Sequence, residues 1–239
     1  MTQALPLIWL PGLLCDDALF EEVNKELPDW VAPSTIELAT LTTMQELAQD
    51  VLQKAPSEFV LGGLSMGGIL AFEVYRQAPE RVKGLILMDT NAADEQQAVT
   101  EKRDALVKRA IEGEFEQITP EVLMPMLIHS SRLTQQELTG RIEQMAINIG
   151  LEAFKAHANA LATRPDARPL LADIRVPTLV ITGKQDRLCP LANHLLMAEY
   201  IPEVSLHVIP ECGHLSTMEH PHRVAKHISH WLSVHHSKQ

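Results

Sequence analysis

Phe59-Val60-Leu61-Gly62-Gly63-Leu64-Ser65-Met66-Gly67-Gly68-Ile69-Leu70-Ala71-Phe72 runs from an apolar, strand-like stretch into a segment with helical spacing, and Gly63–Gly67 at its centre has the pattern G-x-S-x-G. Five residues of that pattern arise readily by chance. A strand before it and a helix after it make it the context of a nucleophile elbow. In such a turn the serine is pushed into a strained backbone conformation that presents its Oγ at the helix N-terminus, and small residues on either side relieve the crowding. The alternative is a glycine-rich strand-to-helix turn that only needed a small polar residue.

Working outward, strand-like runs bounded by turn residues recur at residues 5–10, 30–36, 58–64, 84–88, 177–182 and 204–209. Several are apolar almost throughout, as expected of strands covered on both faces in a parallel sheet. Between them lie helical patterns, the clearest being Met44, Leu47, Ala48, Val51, Leu52 and Ala55, with Thr43 and Glu46 as a capping box. Alternation of this kind predicts an α/β fold: about six mostly parallel strands with helices on both faces.

The alternation stops between residues 91 and 172, where consecutive amphipathic helices are expected. One carries Leu138, Ile142, Met145, Ala146 and Ile149, with Thr134 and Glu137 at its start and Gly150 at its end; Thr119-Pro120 marks another start. We read residues 1–90 and 173–239 as the core and 91–172 as a helical lid inserted between the fourth and fifth parallel strands, in preference to a second independent domain. The C-terminal histidines read as a solvated tail.

A serine hydroxyl needs a base to remove its proton. His214, in Glu211-Cys212-Gly213-His214, follows one strand run, and Asp186, in Gly183-Lys184-Gln185-Asp186, follows another, so both fall at the C-terminal edge where sites of such sheets gather. The chain order Ser65, Asp186, His214 is that of a serine triad on this architecture. His220, His222, His227 and His230 invite a metal reading, yet only His227 and His230 share a helical face and nothing completes a ligand set. No metal is expected.

The 239 residues carry 20 basic and 31 acidic side chains, a net charge of −11, which disfavours nucleic acid or an anionic membrane as partner. No run approaches the ~20 apolar residues of a spanning helix, and the first residues show no basic export region. Three cysteines at unrelated spacings, Cys15, Cys189 and Cys212, suggest neither disulfides nor a metal site. A cytoplasmic enzyme acting on a small molecule, as a monomer or homodimer, fits these constraints.

Gly-Leu-Ser-Met-Gly-Gly at 63–68, Leu-Ile-Leu-Met-Asp at 85–89, Val-Pro-Thr-Leu-Val-Ile-Thr-Gly-Lys-Gln-Asp at 176–186, and Gly213-His214 followed by Glu219 and Pro221 together resemble the α/β-hydrolases that carry a helical lid. The resemblance covers essentially the whole chain. It implies Ser65 as nucleophile, His214 as base and Asp186 as orienting acid; Asp89 also ends a strand, but its role reads more simply as a turn into the lid. It further implies an oxyanion hole from the backbone N–H groups of Met66 and Leu13, with Leu14 as the other choice for the second donor. Pro11 stands where the family usually has histidine, and the chain starts at the first parallel strand, so a smaller sheet is expected. Leu14, Met124, Met126, Leu127, Met145 and Ile149 are candidates for an apolar acyl pocket. The implied activity is hydrolysis of small to medium carboxylic esters without a cofactor. Lactonase, thioesterase, perhydrolase or C–C bond chemistry on the same site, and a low-turnover ligand receptor, are the alternatives.

Overall fold

The computed structural model describes residues 4–236. The reading of the first three residues, and the outer bounds of the expected core, lie outside them. Six strands, β1 (Leu5–Leu10), β2 (Val31–Thr35), β3 (Phe59–Leu64), β4 (Val82–Met88), β5 (Thr178–Gly183) and β6 (Val204–Ile209), form one parallel sheet in the order β2-β1-β3-β4-β5-β6. The six helices of eight residues or more are α1 (Met44–Lys54), α2 (Met66–Gln77), α3 (Gln97–Arg109), α4 (Gln136–Ala162), α5 (Leu191–Tyr200) and α6 (Pro221–His236). The strand order reverses between β1 and β3, and a crevice beyond the carboxyl ends of these two strands follows from that reversal.

Successive side chains of a strand point to opposite faces, and in the central strands β1, β3, β4 and β5 both faces are dry. Ile8, Leu10, Leu61, Leu85, Leu87 and Val180 pack with α1 and α2, while Leu7, Trp9, Val60, Ile86, Leu179 and Ile181 pack with Val224, Ile228 and Trp231 of α6. The continuous apolar runs arise from this double burial. Trp9 is fully buried and stacks on Phe20, ring centroids 4.9 Å apart, and its indole N–H donates to Asn24 Oδ1 at 2.8 Å, so no polar atom of the ring is stranded. At α1 the Thr43 Oγ1 accepts from the Glu46 N–H at 3.2 Å and donates to Glu46 Oε2 at 2.8 Å, and Met44, Leu47, Ala48 and Val51 are the buried stripe.

Helix fills the connection from β4 to β5. Its buried residues Ala110, Ile118, Ala146 and Phe154 form a cluster with Leu14, and Leu13 packs against it, so the loop after β1 is held by the inserted helices. Where the insertion leaves and rejoins the sheet its two ends are joined. Ala167 N–H donates to the Ala92 carbonyl at 2.8 Å, and the buried Glu95 carboxylate receives Arg103 and Arg164, the latter at 2.6 Å.

Three local expectations change. Thr134 and Glu137 do not cap α4; it begins at Gln136, with Gln135 in the cap position and no side-chain bond there. Gly150, with φ +79°, does end the first stretch of α4, but the chain turns there into a second helical stretch reaching Ala162, because glycine accommodates a left-handed break that other residues resist. Thr119-Pro120 lies inside helical turns that restart at Phe115, after another left-handed break at Gly113. The histidines near the C-terminus are not a free tail either: the apolar stripe Val224, Ile228, Trp231 and Leu232 carries α6 to His236, and the rings of His235 and His236 lie 5.4 Å from Trp231. Among the described residues no helix is long and apolar enough to cross a membrane.

Candidate active site

Ser65 follows β3 at φ +56° and ψ −117°, a conformation that costs a residue with a Cβ about 1–3 kcal/mol. The surroundings hold it there. Its N–H donates to the Met88 carbonyl at 2.9 Å, and its own carbonyl accepts from Ile69 N–H at 3.1 Å and Thr90 Oγ1 at 2.7 Å. A Cβ on Gly63 would sit 2.3 Å from the backbone of Gly67, so the turn closes only with glycine at that position.

Beyond β6 the chain brings His214 back to this point. His214 Nε2 lies 2.8 Å from Ser65 Oγ, and His214 Nδ1 lies 2.8 Å from Asp186 Oδ2. The other Asp186 oxygen accepts the Leu188 and Cys189 N–H groups at 2.8 and 2.9 Å, which fixes the carboxylate's plane. Burial works against a charged imidazole, but the Asp186 carboxylate and its hydrogen bond, with Asp89 and Glu219 further away, hold His214 above its ordinary value of 6.5. With Nδ1 donating to Asp186, Nε2 of the neutral ring is left to accept the serine proton.

Asp89 is fully buried at φ +45°, and its carboxylate accepts Gly183 N–H at 2.8 Å and Ser216 N–H at 3.2 Å. It therefore ties the loop of Asp186 to the loop of His214, and is more than a turn residue. Burial and the Asp186 charge push its pKa up to about 8. The spacing of the sequence could not have given Glu219 its place: Oε1 accepts Gly213 N–H at 2.7 Å and Oε2 accepts His129 N–H at 2.8 Å. The Leu127 carbonyl in turn accepts the N–H groups of His214 and Leu215 at 2.9 and 3.0 Å. The histidine loop is thus seated on the inserted helices.

Behind the serine, His194 is fully buried, with Nε2 accepting the Thr90 N–H at 3.0 Å and Nδ1 3.4 Å from the Pro190 carbonyl. Both contacts suit the neutral ring, and burial lowers its pKa to about 4. Between pH 6.5 and 4 the unfolded chain takes up a proton that the folded chain refuses, so stability contributed above pH 6.5 is withdrawn as the pH falls. We predict that this group alone removes about 3 kcal/mol across that window. Urea unfolding of wild type and His194→Gln as a function of pH checks it: the difference should shrink towards pH 4, while Asp89, which titrates in the opposite sense, cancels. A pH-independent difference would contradict a neutral buried His194.

Met66 opens α2, where a first-turn N–H has no intrahelical acceptor, and Leu13 lies in the tight loop after β1, closed by Cys15 N–H on the Gly12 carbonyl at 3.1 Å. Among the described residues neither the Met66 nor the Leu13 N–H has an acceptor. A Cβ on Gly12 would lie 3.4 Å from Ser65 Cβ, which places the loop beside the serine. Leu14, at φ +60°, turns its side chain into the cluster of the inserted helices.

From Pro11 and Gly12 opens a cavity of about 320 Å³, whose walls include Asp16, Thr35, Asn148 and Ile149. Of the six residues expected to wall an apolar pocket, Ile149 lines it. Leu14, Met124, Met126, Leu127 and Met145 do not; Met124 and Met145 point from the inserted helices into the core, where their flexible side chains fill the gap against the sheet. Among the described residues, the one group close enough to share a metal is Asp186, Cys189 and His214. Its carboxylate and imidazole are spent on each other, and burial and the Asp186 charge push the Cys189 thiol far above the range in which it would ligate, so the set does not fit a metal. His227 stacks on His207 at 3.9 Å instead of joining a ligand set.

Residues 32–221 match the family described as alpha/beta hydrolase fold. A thermophilic esterase from Thermogutta terrifontis superposes with a TM-score of 0.87 at 32% identity, over 98% of this chain and 92% of that one. The enol-lactonase of Burkholderia xenovorans LB400 superposes equally well, TM-score 0.87 over 97% and 92% of the two chains, at 19% identity, a likeness of fold alone. In sequence the chain is 32% identical, over 169 residues, to a 2-hydroxy-6-oxononadienedioate/2-hydroxy-6-oxononatrienedioate hydrolase of Paraburkholderia phymatum, covering 68% of this chain and 58% of that protein. It is 31% identical over 185 residues to a 2-hydroxymuconate semialdehyde hydrolase of Pseudomonas putida, covering 72% and 61%. The chain therefore spans about three-fifths of the length of these curated relatives. The match to the family, the parallel sheet and the strained serine at the end of β3 agree: this chain belongs to the alpha/beta hydrolase fold family.

Proposed function

We propose that this chain is a serine hydrolase that cleaves carboxylic esters through an acyl-enzyme. The observation that carries the reading is the unbroken relay from Ser65 Oγ through His214 to Asp186, both contacts 2.8 Å. Ser65 attacks the ester carbonyl as His214 Nε2 takes its proton, and Asp186 steadies the imidazolium that forms. The Met66 and Leu13 N–H groups receive the oxyanion of the tetrahedral intermediate, each worth about 3 kcal/mol of barrier. His214 then returns the proton to the departing alcohol, and a water activated by the same ring frees the acid. The helical segment 91–172 acts as the lid over this edge of the sheet, since Leu127 and Glu219 tie it to the histidine loop.

Ester cleavage is favoured over the C–C chemistry named for the curated relatives. The esterase likeness extends over nearly the whole chain, inserted helices included. The relatives named for nonadienedioates are described by dicarboxylate substrates, whereas the cavity that opens from Pro11 and Gly12 is lined by Asp16, Asp17 and Glu37 and by no lysine or arginine. A dianion would meet like charge there.

Relative kcat/KM for matched 4-nitrophenyl esters of C2 to C12 acids, a γ-lactone, an acyl thioester and a vinylogous diketone tests the reading. The aryl esters should lead by tenfold or more; a diketone ahead of every ester would overturn it. The pH dependence supplies a second check. His214 must be neutral to accept a proton and titrates above 6.5 in the free protein, so kcat/KM for a neutral ester is predicted to rise with pH and to reach half its maximum above pH 6.5. A half-maximum below pH 6 would remove His214 from the role of base.

A further inference from the structure

Thr90 is a fully buried hydroxyl residue that the proton relay does not use. It is the second residue after β4, and its Oγ1 donates to the Ser65 carbonyl at 2.7 Å. The end of β4 therefore grips Ser65 at both of its backbone groups, because the carbonyl of Met88, the last residue of the strand, accepts the Ser65 N–H at 2.9 Å. The Ser65 carbonyl would not be stranded without Thr90: the Ile69 N–H, its ordinary helical donor, reaches it at 3.1 Å. Satisfying a buried acceptor is thus not what the hydroxyl adds.

Two further features keep the hydroxyl in place. The Thr90 N–H donates to Nε2 of the buried His194 on α5 at 3.0 Å, which fixes the backbone from which the side chain projects. On the other side stands Gly68, in the first turn of α2, where a Cβ would lie 2.6 Å from Thr90 Oγ1 and 2.7 Å from its Cβ and Cγ2. Glycine is a poorer helix former than alanine, and α2 carries it where any side chain would displace Thr90 from Ser65.

What the bond controls is the next amide. The Ser65 carbonyl and the Met66 N–H belong to one peptide unit, planar and trans, in which the two bonds point in opposite directions. A hydrogen bond that fixes the carbonyl from inside the fold fixes the direction in which the N–H leaves the helix end. By drawing electron density onto the oxygen it also makes that N–H a better donor. We propose that Thr90 is a positioning residue of the oxyanion hole: its hydroxyl, anchored by His194 and admitted by Gly68, sets the plane of the Ser65–Met66 peptide. The inference rests on the serine-hydrolase reading and adds to it the side chain that aims one of the two donors. Such a donor is worth about 10² to 10³ in kcat, and a peptide plane released on one side gives up part of that, about tenfold.

Thr90→Val removes the hydroxyl and keeps the branched shape, whereas Thr90→Ser keeps the hydroxyl. Rates on 4-nitrophenyl butyrate are expressed per site titrated with a fluorophosphonate, so that unfolded protein drops out. Thr90→Val should lower kcat about tenfold with KM within about twofold of wild type, and Thr90→Ser should stay within about threefold of wild type in both. The trifluoromethyl ketone 1,1,1-trifluoropentan-2-one, whose hemiketal with Ser65 carries the oxyanion, should bind Thr90→Val about tenfold more weakly, while pentan-2-one, which forms no stable adduct, should bind the two proteins alike. A threonine that only packs would change neither the ratio of the two ketones nor kcat per titrated site. Unchanged kcat and ketone ratio in Thr90→Val would overturn the role, and so would a loss in Thr90→Ser as large as that in Thr90→Val. Thr90→Ala, which leaves more room at the Ser65 carbonyl, is held to the same outcomes where Thr90→Val does not fold. Should wild type bind the trifluoromethyl ketone without hydrolysing the ester, the ketone ratio alone decides. Hydrolysis that persists in Ser65→Ala would instead overturn the hydrolase reading, and a wild type that neither hydrolyses the ester nor binds the trifluoromethyl ketone would overturn both.

Discussion

Ser65→Ala is expected to lower kcat/KM for an aryl ester by about 10⁴ or more, and to abolish the single fluorophosphonate adduct expected by intact mass on wild type. The size follows from the way the relay works. Removing the nucleophile leaves only the oxyanion donors and substrate binding, which sustain a small residue of catalysis over water. His214→Ala should cost about as much, and the double variant little more than either, because the two groups act in one proton transfer and their effects do not add. Alanine at φ +56° retains the strain that serine tolerates at this turn, so lost activity has to be separated from lost folding. Ser65→Gly does this: glycine adopts positive φ freely, and the variant should be at least as stable as wild type by urea unfolding and just as inactive. More than about 1% of wild-type activity in a folded Ser65→Gly protein would sink the assignment of the nucleophile.

The sheet could be read from the sequence because the central strands β1, β3, β4 and β5 are buried on both faces and write that burial as apolar runs; Leu85-Ile86-Leu87 alternates between the two cores without a polar residue to mark either side. Ser65, Asp186 and His214 could be read because each stands directly after such a run, and parallel strands deliver their ends to one edge. What holds them was not legible. Leu127 contributes a carbonyl, which any residue owns, and Glu219 and His194 find their partners about 90 and 104 residues away in the chain. Asp89 read as a turn because it ends a strand run at the entry to the inserted segment, and only the sheet places Gly183 and Ser216 against its two oxygens. The helix starts at Thr134 and Thr119 were misplaced for a different reason. The breaks that govern this segment sit at Gly113 and Gly150, where a single glycine in a left-handed conformation outweighs a capping signal of about 1 kcal/mol. Spacing tells which side of a helix is apolar and not whether that side meets a cavity or the core, and of the six pocket candidates Ile149 lines the cavity at Pro11 and Gly12.

Gly67→Ala should produce the other large effect, this time on folding and rate together. A Cβ there would lie 1.9 Å from the Leu10 carbonyl oxygen, 2.5 Å from its carbon and 2.8 Å from the Pro11 oxygen. These are backbone atoms at the end of β1, and no rotamer change can clear them. Either the start of α2 or the loop carrying Gly12 and Leu13 has to move by about 1 Å or more, which for overpacking of this kind costs about 3 kcal/mol. Displacement on that scale would pull the Leu13 N–H away from the oxyanion position, so kcat should fall by a further 10² to 10³ in the fraction that remains folded. Gly140→Ala is the matched control, since a Cβ at that helical position meets nothing within 4 Å; it should be neutral or stabilising by up to about 1 kcal/mol, with kcat unchanged. Urea midpoints and active-site titration with a fluorophosphonate separate the two consequences for Gly67→Ala. A protein that labels fully but turns over slowly would locate the damage in the oxyanion donors, since Ser65 and His214 would then still be assembled. A stable protein with wild-type kcat would mean that β1 and α2 can part without disturbing the oxyanion position, and the second donor would have to be sought elsewhere than at Leu13.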